Sequence, residues 1–385
     1  MTHKDPRLST LDGPPGSGKT TLLVKESGGW PENSAVVAYT RDAASELRRR
    51  GISRPAGTIH ALTWPHVKAV ANMPVYRRGP SADYKRRKIR GVNDPALRQW
   101  VQTAPSKSAK KMLQEMAAEL HAWAPHRGAA PAWIWNPKFP RSLSHSIALA
   151  RWLDRGAPRN PEAGDDAVWD LELGVMDEGQ DAGALEMSAF LALVAPTGKA
   201  LVVGDPGQAI FQESKGGKAG ELPPAWRWAV ENDILAQGFR CGQPLAQAAS
   251  RVLRPFYNVD PETFCAQTHN TELELWDPAN RPFGGGLVLG FSRRVVAQCI
   301  EDWGMTDVSI TPATRTSESG ELSVSTIHAA KGCQAKNCFL LPFSRPMMQK
   351  LRAEEPSVLK LCYTAMTRAS SKLYLPLEMY LELQP

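Results

Sequence analysis

The sequence has no run of eighteen apolar residues, so no segment of it reads as a membrane-crossing helix. Its first ten residues, MTHKDPRLST, hold no apolar core of the kind a secretion signal requires. The 6 cysteines are scattered, and the close pair Cys333 and Cys338 is not answered by a second pair. That spacing excludes both a zinc ribbon and a disulfide framework. No motif repeats along the chain and no long low-complexity tract interrupts it. These absences together lead to the expectation of a reduced, cytoplasmic protein without a membrane partner.

What is present is ample. A chain of 385 residues with 42% hydrophobic content suits two or three domains with packed cores. The net charge of +7 points towards a polyanionic partner, and its distribution says more than its size. Tyr76-Arg77-Arg78 and Tyr84-Lys85-Arg86-Arg87-Lys88-Ile89-Arg90 concentrate positive charge with aromatics interleaved. Such a stretch is either a contact for a phosphate backbone with bases stacking nearby, or a solvated helix face.

The most specific stretch runs from Ser9 to Leu23, STLDGPPGSGKTTLL. Gly13, Gly18, Lys19 and Thr20 satisfy G-x-x-x-x-G-K-[ST], a phosphate-binding loop. The backbone of Gly13-Pro14-Pro15-Gly16-Ser17-Gly18 is suited to surround phosphates. Lys19 reaches for the β and γ oxygens and Thr20 for Mg²⁺, and Thr21 is counted with the nucleotide-binding residues. Leu8 to Leu11 reads as a buried strand before the loop, and Thr20 to Lys25 as a helix whose N-terminus faces the anion.

Further short apolar runs follow an α/β pattern. Ser34 to Thr40 reads as a buried parallel strand, Arg41 to Arg50 as a helix stopped at Gly51, and Gly57 to Leu62 as a short segment before Trp64-Pro65. From there to about Asp165 proline, arginine and tryptophan rise and strand-like runs vanish, as in an insertion carried by an α/β domain. Ala109 to Trp123 is patterned as an amphipathic helix. Two strands then end in acidic turns: Leu171 to Met176 before Asp177-Glu178, and Lys199 to Val203 before Gly204-Asp205. Acidic turns at strand ends are what an α/β phosphate site needs at its carboxyl edge. A second α/β segment begins near Asp233, with strands at Leu287–Phe291, Leu322–Ile327 and Cys338–Leu341.

Taken in order, these pieces resemble a UvrD/Rep-like superfamily 1 helicase. GPPGSGKT is similar to motif I, AYTRDAASELRRR (38–50) to Ia, and GTIHAL (57–62) to Ib. VMDEGQD (175–181), VVGDPGQAIFQ (202–212) and AQGFRCGQPLA (236–246) resemble motifs II, III and IV, while VSTIHAAKGCQ (324–334) and CYTAMTRA (362–369) resemble V and VI. The resemblance implies an α/β fold of two RecA-like P-loop NTPase domains with a mainly helical 1B insertion in the first. The expected divisions are 1–64 with 166–232 (1A), 65–165 (1B) and 233–385 (2A).

Roles follow from chemistry and resemblance together. Asp177 is expected to hold Mg²⁺ with Thr20, and Glu178 to deprotonate the attacking water, because metal binding and base work require different carboxylates. The resemblance implies that Gln208 senses the γ-phosphate, that Gln180 couples hydrolysis to movement, and that Arg240 and Arg368 reach the γ-phosphate from the second domain. It also implies that Phe239 stacks on adenine, with core packing as its alternative, and that Gln334 lies near the ribose. Tyr39, Thr40, Thr58, His60, Phe211, Thr326 and His328 stand at strand-contact positions, each with packing as the alternative. Trp64 is a further stacking candidate, although its type favours burial.

The sequence departs from the family in four places. It has no upstream glutamine motif, Gln334 replaces a glutamate, and Glu213 stands where a stacking tryptophan is usual. Only about thirty residues separate the strand near Phe291 from motif V, which leaves no room for a 2B subdomain. The expected protein is therefore a minimal ATP- and Mg²⁺-dependent DNA helicase or single-strand translocase, leaning 3′ to 5′. Its expected partner is single-stranded or forked DNA, with RNA as the alternative. The competing readings are a nucleic-acid-stimulated ATPase that does not unwind processively and a non-hydrolysing strand clamp. Reversing the charges at Arg86, Arg87 and Lys88 is expected to weaken DNA binding and flatten its salt dependence in a filter or anisotropy titration; binding unchanged at every salt concentration excludes the basic segment as a contact.

Overall fold

The computed structural model describes residues 4–71, 107–126, 129–135, 144–164, 167–212, 215, 217–218, 220–235, 242–253, 271–282, 284–305 and 322–383. The chain divides into two compact units, each built on its own sheet.

The sheet of the first unit has six strands, β1 (Leu8–Asp12), β2 (Ser34–Ala38), β3 (Ala56–Thr58), β4 (Leu171–Asp177), β5 (Val194–Gly204) and β6 (Glu231–Ile234), of which β1, β2, β4 and β5 contain the apolar runs. They lie in the order β3-β2-β4-β5-β1-β6, and every pairing is parallel. A parallel sheet covered on both faces demands continuously apolar strands. All five residues of β2 are accordingly buried. The register places Asp12 opposite Gly204, Val203 opposite Asp177, and Asp177 opposite Ala38. Four strand ends therefore meet on one carboxyl edge, where α/β sheets present their ligand sites.

The helices of this unit are α1 (Lys19–Glu26), α2 (Arg41–Arg49), α3 (Ile59–Ala71), α4 (Lys107–Trp123), α5 (Ser144–Asp154), α6 (Ala184–Leu193) and α7 (Pro224–Trp228). Gly51, with φ of +85°, follows α2 and stops it as expected. Helix α3 runs further than the short segment expected at Gly57–Leu62. It continues through Pro65 instead of ending before it, so it crosses the anticipated start of the insertion. The carbonyl of Pro65 accepts a hydrogen bond from Asn160 Nδ2 at 2.9 Å, tying the helix to a later segment. At the other boundary, β6 pairs with β1, which carries the first sheet through Ile234.

The described helices of the expected insertion, α4 and α5, share a core with the first sheet. Leu120, Ile147, Leu149, Trp152 and Leu153 belong to the same buried cluster as Leu8, Met176, Leu185 and Phe190. Trp152 is wholly buried beside His66 of α3 and Trp169, with ring centroids 6.5 and 6.1 Å away. His66 is fixed between two backbone groups: Nδ1 accepts from Asn160 N–H at 3.3 Å while Nε2 donates to the Val168 carbonyl at 2.9 Å. Burial lowers its pKa, consistent with a neutral ring in that tautomer.

The second unit contains β7 (Glu272–Leu275), β8 (Gly286–Gly290), β9 (Leu322–Thr326), β10 (Ala335–Leu340) and β11 (Ala369–Leu375) in the parallel order β7-β11-β10-β8-β9. Its helices are α8 (Gln243–Leu253), α9 (Arg293–Asp302), α10 (Arg345–Arg352), α11 (Pro356–Met366) and α12 (Leu377–Leu383). Leu245, Leu287, Leu340, Tyr363 and Leu373 form the centre of its core. Both units thus have the α/β, RecA-like organisation expected.

Trp152→Ala removes a large side chain from a core that α5 shares with the sheet, so it is expected to destabilise the first unit by about 3–5 kcal/mol. Urea unfolding followed by far-UV circular dichroism measures it. An unchanged midpoint for that unit's transition means that α5 is an independent appendage.

Candidate active site

The loop after β1 has the conformation that a phosphate site needs. Gly16 and Gly18 adopt φ of +79° and +82°, where a side chain is strained. The Gly13 N–H donates to the Gly204 carbonyl at 3.0 Å, and Ser17 N–H to the Pro14 carbonyl at 3.0 Å. Helix α1 starts at Lys19, and its N-terminus carries no side-chain cap. Its first N–H groups are therefore free of side-chain competition for an anion. Lys19 is buried, with Nζ donating to the Gly13 carbonyl at 2.5 Å. The Ser17 hydroxyl is buried without a partner, a polar atom left for a ligand to satisfy. Pro14 and Pro15 are buried beside it, whereas Thr21 is exposed and accepts from Arg50 at 3.5 Å.

The acidic strand end of β4 meets this loop directly. Thr20 Oγ1 donates to Asp177 Oδ2 at 3.1 Å, while Asp177 Oδ1 accepts from the Glu178 N–H at 3.0 Å. Burial, and then the charge of Glu178, push the Asp177 pKa above the usual carboxylate range, with Lys19 and Thr20 opposing. Glu178 itself sits in the left-handed region at φ of +57°. That conformation costs roughly 1 kcal/mol or more for a residue with a Cβ, and such residues concentrate at functional sites. Its Oε2 accepts from Gln180 Nε2 at 2.6 Å.

Gln180 links two strand ends. Its Oε1 accepts from the Asp205 N–H at 3.2 Å, and Asp205 Oδ2 accepts from Gln208 Nε2 at 2.9 Å. A Cβ on Gly204 would lie 2.1 Å from Gln180 Oε1, so the glycine makes room for the bridge. A continuous polar line thus joins Glu178, Gln180, Asp205 and Gln208.

A second polar group at this edge was not anticipated from the sequence. Asp12, immediately before the loop, accepts from Trp226 Nε1 and, at 3.4 Å, from Asn232 Nδ2. Asn232 also accepts from Thr10 Oγ1 at 2.6 Å. Burial pushes the Asp12 pKa up to about 6, with the Asp205 charge adding and Trp226, Asn232 and Lys19 opposing. The only sequence signal was an aspartate preceding the loop; the tryptophan that binds it lies 214 residues further along the chain.

The strand-contact candidates fall into three kinds. Thr40 and Thr58 serve as helix caps, their hydroxyls accepting from Ala43 and Ala61 N–H at 3.1 and 3.2 Å. Tyr39 and Phe211 stack on each other with centroids 6.2 Å apart, and Lys215 Nζ lies 4.4 Å above the Tyr39 ring. His60 lies 4.8 Å from the His145 ring, and burial lowers its pKa to about 4. Trp64 is 44% exposed on α3, which corrects the expectation of a buried tryptophan and leaves its ring free to stack.

In the second unit Arg368 is buried to 3% exposure at the end of α11. Its guanidinium donates to the carbonyls of Thr364 and Cys333 at 2.9 and 3.2 Å and to Thr367 Oγ1 at 3.2 Å. Those bonds hold the arginine beside the turn that carries the exposed Gln334. Thr326 Oγ1 accepts from the Ala329 N–H at 3.3 Å, closing the turn on which the half-buried His328 stands. Arg86, Arg87, Lys88, Phe239 and Arg240 lie outside the described residues.

The sequence profile of the AAA domain family matches residues 2–213. No curated protein matches the chain. Among solved structures, the crystal structure of Arterivirus nonstructural protein 10 (helicase) is similar at 16% identity with a TM-score of 0.44, covering 98% of this chain and 62% of that one. The same Arterivirus protein in complex with DNA gives 16% identity and a TM-score of 0.43, covering 96% and 60%. The PRRSV helicase gives 13% and 0.43, covering 96% and 52%. The chain thus spans less than two thirds of the length of these structures.

The Asp12 pKa carries a signed prediction. Because it is raised above the unfolded value, the carboxyl contributes most to stability at low pH, and that contribution is lost as pH rises through about 6. Asp12→Asn removes the loss. Relative to the unsubstituted protein it is expected to gain about 2 kcal/mol between pH 4 and pH 7, discounted for the part that water still reaches. Urea midpoints at the two pH values measure the difference; a constant offset overturns the assignment.

Proposed function

The chain belongs to the AAA domain family, and from that premise we propose that it is an ATP-dependent DNA helicase or single-strand translocase. The observation that carries the reading is the junction of the phosphate loop with two acidic strand ends: Thr20 on Asp177, and Glu178 bridged through Gln180 to Asp205 and Gln208. A glycine-rich turn with no ligand has no need of that junction.

The residues fit a nucleotide and its metal. The uncapped α1 N-terminus, the unpartnered Ser17 hydroxyl and the Lys19 ammonium supply donors for phosphate oxygens. Thr20 and Asp177 supply a paired hydroxyl and carboxylate for Mg²⁺, whose charge, when it is bound, screens the phosphates and favours the ionised form of Asp177. Glu178, oriented by the hydrogen bond from Gln180, is the carboxylate that takes the proton of the attacking water. Lys19 turns from the Gly13 carbonyl to the phosphates, and Gln208 reports their presence to Asp205 and so to Gln180. Arg240 and Arg368 are the cations that the resemblance assigns to the γ-phosphate, and Phe239 the stacking face it assigns to the base. Gln334, near the ribose, completes the set. Tyr39, Phe211, His60, Trp64, Thr326 and His328 contact the strand, while Thr40 and Thr58 shape the turns that present it. Alternation of strand grip between the units with nucleotide state produces directed stepping, 3′ to 5′ by resemblance.

One observation favours a second reading. The interval between β8 and β9, Gly290 to Leu322, has no room for a further subdomain, which suits a nucleic-acid-stimulated ATPase that remodels without processive unwinding.

ATP hydrolysis with and without single-stranded DNA tests the proposal. Strand stimulation is expected in the unsubstituted protein, and a loss of about 10²- to 10⁴-fold in kcat for Glu178→Gln with nucleotide binding retained. Stimulation by RNA alone redirects the substrate; no turnover with any strand reduces the site to a binding scaffold.

A further inference from the structure

A pocket of about 420 Å³ lies in the first unit, walled by α4, the turn 182–184, Gln212, Lys215, Lys218, Glu221 and α7. Its size is that of a small-molecule site. Two features of its wall point to a ligand. Gln212 is 93% buried by its 7% exposure, and its Nε2 has no hydrogen-bond partner; the Nε of Arg227, also buried, has none either. Unsatisfied buried donors are costly and rare in native proteins, so two on one pocket need an acceptor.

The charges around the pocket describe that acceptor. Lys215 pairs with Glu186 at 2.9 Å, and Glu186 is held down to about 2 because Lys215 and His121 outweigh its burial. Arg227 and Lys218 both approach Glu221, at 3.4 and 3.8 Å. The cations are already answered by carboxylates, which disfavours a phosphate. The donors left over suit a neutral acceptor edge, and Pro125, Pro224 and Trp228 add flat apolar walls. Carbonyl oxygens and ring nitrogens on a flat ring are what a nucleobase presents.

We propose that this pocket takes a single unpaired nucleobase, held by Gln212 Nε2 and Arg227 Nε. The base arrives either from the bound strand, past the Tyr39–Phe211 stack next to Gln212, or as a free nucleoside. The strand source rests on the motor reading above. Because α4 forms one wall and the segment after Gln208 another, an occupied pocket clamps the inserted helix to the segment that senses nucleotide.

The test uses the full chain, saturated with a non-hydrolysable ATP analogue, and two substitutions. Gln212→Met removes the donor at nearly constant volume. Ala122→Trp fills the pocket from its exposed rim and spares the core. Binding of a short oligonucleotide is compared with that of the same strand bearing abasic sites, and 2-aminopurine nucleoside is titrated separately by fluorescence. The intact strand is expected to bind about five- to tenfold more tightly than the abasic one, and both variants to lose that advantage without a change in melting temperature. Nucleoside binding lost in both variants, with no base-dependent strand binding, assigns the pocket to free nucleoside. An intact-strand advantage that survives both substitutions, with no nucleoside bound, overturns the proposal. Strand-stimulated hydrolysis of ATP, measured on the same protein preparations without the analogue, separates that failure from failure of the motor reading.

Discussion

The amide of Gln180 is the contact on which the arrangement of the site depends. It donates to Glu178 and accepts from the backbone of Asp205, and only a side chain with both functions can do this. A glutamate there would face Glu178 with a like charge; a methionine would strand a buried N–H and a carboxylate. Two other features follow from the bridge. Gly204 must lack a Cβ because the amide oxygen occupies its place, and Glu178 is held in a left-handed conformation that an unconstrained chain would leave.

The bridge matters because the parallel sheet gathers acids at one edge. Asp12, Asp177 and Asp205 stand at the carboxyl ends of neighbouring strands or just beyond them. Burial raises the pKa of the first two; the charge of Asp205 adds to the rise at Asp12 and that of Glu178 to the rise at Asp177. Lys19 opposes both shifts, so the loop lysine stabilises the acidic edge before any nucleotide arrives. When the ammonium turns towards phosphate oxygens, the acids lose part of that support. The edge then favours a cation in its place, which ties nucleotide and metal binding through electrostatics alone.

Much of this was legible in the sequence. The phosphate loop, β1, β2, β4 and the second half of β5, the acidic turns and the helices at 41–49 and 107–123 announce themselves by short-range pattern, because fully buried parallel strands have to be apolar throughout. The features that escaped depend on distant partners. Pro65 signals a break, yet α3 continues because Asn160 and the His66 cluster hold it in place. The proline- and tryptophan-rich composition of 65–165 suggested a separate insertion, but composition does not tell a helix that covers a neighbour's core from one with its own. Trp64 was expected inside by residue type, and the neighbouring Val67, not Trp64, faces the core. Lys215, Glu186 and His121 look like ordinary surface residues until three separate segments bring them together.

The same contrast separates the two halves of the functional site. Residues that touch phosphate must present charge or backbone at a fixed turn, so their spacing is constrained and visible. Residues that grip a strand or a base need only a ring, a hydroxyl or an amide, and many folds place these by chance. What distinguishes Gln212 is its surroundings: an amide sealed from water, with nothing to bond, beside cations already paired. An unsatisfied donor in an otherwise well-bonded core is a departure from the rule the rest of the unit obeys, and departures of that kind gather where a partner is to complete them.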